Sequence, residues 1–161
     1  MNSTLASKLK HLTAALTLIV FVTVASLSHL AAQSAVTLPM KVDSDISGMS
    51  VELTSVQKAG DTIMVRFKYI NGGDKNITLY PQVGGQIEDK IYYVDAKNKK
   101  KYLVIRDTEN HPLASALHNL EANAGETKGC WAKFPAPPSD VTAISVYIPG
   151  AAPFENVPLA E

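Results

Sequence analysis

Residues 62–70, TIMVRFKYI, alternate with a period of two. Ile63, Val65, Phe67 and Tyr69 fall on one side, and Met64, Arg66 and Lys68 on the other. Successive side chains of a strand point to opposite faces, so this run fits a strand with one buried face. It does not fit a helix, whose faces repeat every 3.6 residues. Residues 50–57, SVELTSVQ, are rich in β-branched side chains, which suit a pleated surface. Ala59-Gly60-Asp61 separates the two runs and reads as a turn, so the pair predicts a hairpin.

The same signals continue along the chain. Asn71-Gly72-Gly73-Asp74 supplies residues that tolerate positive φ. A short strand is expected at 76–80, stopped by Pro81, and Gly84-Gly85 marks a loop or bulge. Residues 91–95 and 101–105 flank a lysine-rich loop at 96–100 and predict a second hairpin. Residues 106–123 are irregular, with room for a helical turn at 115–120. Strands at 127–134, 142–148 and 154–159 follow, bounded by prolines that cannot donate ladder hydrogen bonds. The expected fold is all-β: an immunoglobulin-like, two-sheet antiparallel β-sandwich of seven or eight strands, with no long amphipathic helix. Residues 35–49 read as an extended lead-in and 50–161 as the sandwich.

The first 34 residues read differently. Lys8 and Lys10 precede an apolar and small-residue run at 12–27, and no acidic residue occurs before Asp43. His29-Leu30-Ala31-Ala32-Gln33-Ser34-Ala35 is rich in small residues. That is the layout of a secretory signal peptide, an N-terminal signal helix removed near Ser34. The run is short for a membrane span of about 20 residues, so any membrane association is expected only through an uncleaved leader. Removing residues 1–34 takes away two lysines and no acid, so the net charge falls from 0 to −2. All 9 glycines and all 9 prolines lie beyond that point. The expected location is extracytoplasmic, periplasmic or secreted.

Four segments carry a resemblance. They are Ile91-Tyr92-Tyr93-Val94-Asp95, Lys99-Lys100-Lys101-Tyr102, Asn123-Ala124-Gly125-Glu126 and Trp131-Ala132-Lys133-Phe134-Pro135. Together they resemble a bacterial family of exported immunoglobulin-like domains of unknown function, grouped with a mycobacterial secreted immunoprotective antigen. Ala124 stands where that family has proline. The resemblance covers most of residues 50–159 and implies an extracytoplasmic immunoglobulin-like sandwich. It supplies no catalytic residue, because its motifs are turn and core positions.

The chemistry-bearing residues are few. A neutral chain is a poor nucleic-acid binder, and a single cysteine, Cys130, excludes an intrachain disulfide. Cys130 sits in a strand pattern and reads as a buried, inert thiol. His111 and His118, with Asp107 and Glu109, offer the remaining metal or small-ligand candidate, although a seven-residue spacing matches no usual ligand pair. Asp43-Ser44-Asp45 starts like a calcium loop, but Thr54 stands where the closing glutamate belongs. Tyr92, Tyr93, Lys97, Lys99, Lys100, Lys101 and Tyr102 form a basic loop among tyrosines and are the candidate binding surface. The reading is therefore a non-enzymatic module without a cofactor, whose partner is a protein or another component of the envelope or the cell exterior. The alternative is a small-ligand or metal-binding protein using residues 107–118.

Overall fold

The structure, a computed structural model, describes residues 37–79 and 87–159. The leader expected over 1–34 and the glycine pair at 84–85 lie outside the described residues. Among the described residues no helix is long and apolar enough to cross a membrane.

The described residues are nearly all β, in antiparallel sheets, with one short 3-10 helix at Ile87–Lys90. One four-stranded sheet has the order β1-β2-β3-β8, built from Met40–Asp43, Met49–Ala59, Thr62–Asn71 and Thr127–Pro135. A second has the order β10-β9-β5-β6, built from Phe154–Pro158, Ala143–Tyr147, Tyr92–Asp95 and Lys100–Leu103. A separate ladder joins β4 (Ile77–Leu79) to β7 (Leu120–Ala122). The predicted hairpins 50–57/62–70 and 91–95/101–105 are both present, as β2-β3 and β5-β6.

Two strands go beyond the expectation, so the described residues hold ten rather than seven or eight. The lead-in is not detached. Its residues 40–43 pair with β2 from Met40↔Leu53 to Asp43↔Ser50. β7 lies inside the stretch expected to be irregular. The helical turn expected at 115–120 is a single tight turn, in which Leu120 N–H donates to Leu117 O and Asn119 takes φ 53°. Three residues of β-bonding to β4 outcompete a helix too short to repay its nucleation.

Alternation places the core. Ile63, Val65, Phe67 and Tyr69 of β3 are buried, as are Cys130, Ala132 and Phe134 of β8. From the second sheet, Tyr93, Tyr102, Ile144, Val146, Phe154 and Val157 join the same hydrophobic cluster. Two bulges correct the period where the sequence breaks it. Leu53 and Val56 are three residues apart yet both buried, because the register slips at Thr54, whose hydroxyl donates to Arg66 O at 3.0 Å. Phe154 and Val157 repeat the device, with Asn156 at φ 54° in between. An extra residue on one strand turns an odd spacing back onto one face.

Two features tie the elements together. Asn71, 1% exposed, directs its amide nitrogen at Lys75 O (2.8 Å), Ala122 O (3.0 Å) and Asn123 O (2.9 Å). Its Oδ1 accepts from Gly73 N–H at 3.0 Å. Past Leu103 the chain leaves β6 and crosses to the edge of β8. Ile105 N–H donates to Lys133 O at 2.9 Å, Lys133 N–H to Leu113 O at 2.9 Å, and Ser115 N–H to Trp131 O at 2.8 Å. Residues 105–115 thus cover an edge that would otherwise present unpaired backbone groups.

Candidate functional site

Period two separates tyrosines that are neighbours in the sequence. Tyr93 and Tyr102, opposite each other across β5-β6, point inward and stack at 4.4 Å and 8°. Both are buried, and the Tyr93 hydroxyl donates to Pro135 O at 2.7 Å. Burial, then the neighbouring Tyr102 and Asp95, push the Tyr93 phenol well above its ordinary range. These two are core residues and contribute nothing to a surface.

Tyr92 points the other way. It stacks on Tyr147 of β9 at 4.4 Å and 12°, and Lys101 Nζ lies 3.6 Å from its ring centroid. Leu103, opposite Tyr92 on β6, is 56% exposed. Register therefore lays Leu103, Tyr92 and Tyr147 in one row across β6, β5 and β9. Lys101, Val94 and Ser145 form the row beside it. This is an amphipathic strip: two stacked rings, one exposed leucine and a cation over a π face. Sequence reading missed Tyr147 and Leu103. The outward parity of Tyr147 beside inward Val146 was the available signal.

The lysine cluster also divides. Lys97 pairs with Asp140, at 2.7 Å to Oδ2 and 2.9 Å to the carbonyl oxygen, and lowers the Asp140 carboxyl below its ordinary range. Lys100 lies 4.8 Å from the Tyr102 ring centroid. Lys99 occupies the loop tip at φ 54°. Buried Asp95 closes that loop by accepting from Asn98 N–H at 3.1 Å and from Asn98 Nδ2 at 2.7 Å. What the sequence offers as one basic patch is a hairpin loop whose cations point several ways.

Asp107, Glu109 and His111 do meet. His111 Nδ1 lies 3.4 Å from Asp107 Oδ2 and 3.6 Å from Glu109 Oε2. Asp107 Oδ1 accepts from the backbone N–H of Glu109 (2.9 Å) and of His111 (2.8 Å). The His111 backbone N–H is the main cause of its lowered carboxyl pKa. Arg106 braces the loop through Asn110 O at 2.6 Å and a short ion pair to Asp89. The carboxylate is thus committed to closing the loop, as in an Asx turn. His118 is exposed, with no hydrogen bond or ion pair to this group. Among the described residues no cluster of three or more His, Cys, Asp or Glu side chains is arranged to hold a metal ion. At the Asp43-Ser44-Asp45 segment, the Ser44 hydroxyl donates to Gly150 O at 2.6 Å and accepts from Ile46 N–H at 3.1 Å, which is turn-making.

Cys130 is buried, and its surroundings push the thiol up to about 11 from a usual value near 9. The native protein at pH 8 should therefore react with a disulfide reagent at least about tenfold more slowly than the urea-unfolded chain, which should take up one equivalent. Equal rates in the two states would show an accessible thiolate. The unfolded thiol loses its proton first. Stability from this source is intact below pH 9 and falls as the pH rises toward about 11.

No protein-family model and no curated protein matches the sequence. Similar solved structures include the yjhA protein from Bacillus subtilis, 11% identical with a TM-score of 0.46 over 70% of this chain and 92% of that one. Another is a functionally unknown protein from Listeria monocytogenes, 12% identical with a TM-score of 0.37 over 66% of this chain and 71% of that one.

Proposed function

We propose that this chain is an exported, non-enzymatic, immunoglobulin-like β-sandwich module. It binds a protein or another envelope component through the outer face of β5, β6 and β9. The observation that carries the reading is the row Leu103, Tyr92 and Tyr147 with Lys101 over the Tyr92 ring. Core-forming alternation explains inward Tyr93 and Tyr102 completely. It does not call for two stacked rings and a half-exposed leucine on the outward side. Aromatic residues with a neighbouring cation are the side chains that anchor protein interfaces. The leader layout over 1–34 supports export, and a domain without disulfides remains stable outside the cytosol when its core is of this size.

The test has two arms. Mass spectrometry of the protein recovered from the envelope or medium should find a chain shortened near residue 34. A photo-crosslinker at Leu103 should then capture a partner, and Tyr92→Ala with Lys101→Glu should reduce capture about tenfold or more while the melting temperature stays unchanged. A full-length chain confined to the cytosol, or capture indifferent to those substitutions, rejects the proposal.

A further inference from the structure

The first sheet carries a second unusual surface, independent of the one above. Trp131 stands on the outer face of β8 and is 39% exposed, while its neighbours Cys130 and Ala132 are buried. Its cross-strand partner is Arg66. Two residues along the strand on either side are Gly129, opposite Lys68, and Lys133, opposite Met64. A side chain built at Gly129 would meet nothing within 4 Å, so the space beside the indole is open.

Two of the charges around the ring are held in place. The Arg66 guanidinium donates to Gln57 Oε1 at 2.9 Å, and Lys68 Nζ lies 3.3 Å from Glu52 Oε1. Glu52 is thereby matched by Lys68. Among the described residues no carboxylate pairs with Arg66 or Lys133, so the ring sits in locally positive surroundings.

We propose that this face binds an acidic polysaccharide. A sugar ring lies flat on the indole, whose electron-rich face attracts weakly positive C–H groups. Arg66 and Lys133 hold a carboxylate of the same or the next residue, the guanidinium by paired hydrogen bonds. The alternatives need more apolar surface than this face has. A protein interface rests on several buried anchors, and interfacial membrane binding on a row of apolar side chains. Trp131 and Leu103 are the large exposed hydrophobics among the described residues, and Leu103 belongs to the other sheet. One ring suffices for one sugar.

Trp131 is the only tryptophan of the chain, so fluorescence excited selectively at tryptophan reports on this face. Titration with polygalacturonate should shift the emission to shorter wavelength, saturate, and protect the indole from acrylamide. Dextran, a neutral polymer, should do neither, and added salt should weaken the effect. Arg66→Gln with Lys133→Gln should raise the half-saturating concentration about tenfold. Gly129→Leu, which fills the open space, should abolish the shift. If Gly129→Leu fails to fold by circular dichroism, the charge variant carries the test alone. The proposal is overturned by the lack of any saturable shift with polygalacturonate, or by a shift unchanged in the charge variant. It is equally overturned by a shift given by phosphatidylglycerol vesicles and not by polygalacturonate.

Discussion

The Phe134→Ala variant should lose about 3–5 kcal/mol of folding stability, as read by urea titration. Phe134 is fully buried, lies opposite Ile63 in the β3-β8 ladder, and meets Tyr93 edge-to-face at 5.5 Å and 81°. Tyr93 in turn stacks on Tyr102. The ring is therefore the contact of the first sheet with an aromatic pair of the second. Removing it costs the transfer of a large apolar group and leaves a cavity that two stacked rings cannot collapse to fill. Phe134→Leu fills most of that space and should recover the larger part of the loss. A loss below about 1 kcal/mol for the alanine variant would show that the ring is not held between the sheets.

Asn71→Ala should remove about 2–4 kcal/mol by a different route, measured in the same titration. The amide shares its two N–H hydrogens among three backbone carbonyls, from Lys75, Ala122 and Asn123. It thus pins the end of β3 to the β4-β7 ladder and to the turn before β8. Alanine leaves those carbonyls short of a donor in a buried place. Asn71→Asp separates hydrogen bonding from packing. It keeps the shape and the acceptor for Gly73 N–H, but turns a carboxylate oxygen toward three carbonyl oxygens. Its loss should equal or exceed that of alanine at pH 7 and diminish as the pH falls and the carboxyl takes up a proton. An aspartate variant as stable as the parent would refute this account.

What can be read in the sequence follows from how local each signal is. The β2-β3 hairpin is legible because Ile63, Val65, Phe67 and Tyr69 alternate without a break and Gly60 supplies the turn, at φ 61°. β1 is not, because its four residues run into the polar Asp43-Ser44-Asp45 and exist as a strand only through the ladder to β2. β7 is a strand for the same reason, through Ile77↔Ala122 and its neighbours. Neither has enough apolar residues for its own pattern to be seen. The site divides similarly. Adjacent Tyr92 and Tyr93 must face opposite ways in any strand, so chain order alone splits that pair between core and surface. The completion of the outward half by Tyr147, 55 positions downstream, depends on the β5-β9 register, which no local pattern encodes. Trp131 and Cys130 pose the same parity question, and burial resolves it in favour of Cys130 inside.

The crossing of residues 105–115 from β6 to the border of β8 has a consequence for how the molecule breathes. A segment that belongs to one sheet by descent and to the other by its backbone hydrogen bonds prevents either from fraying alone. Amides of β6 and β8 should therefore exchange with deuterium at matched rates, as one opening unit.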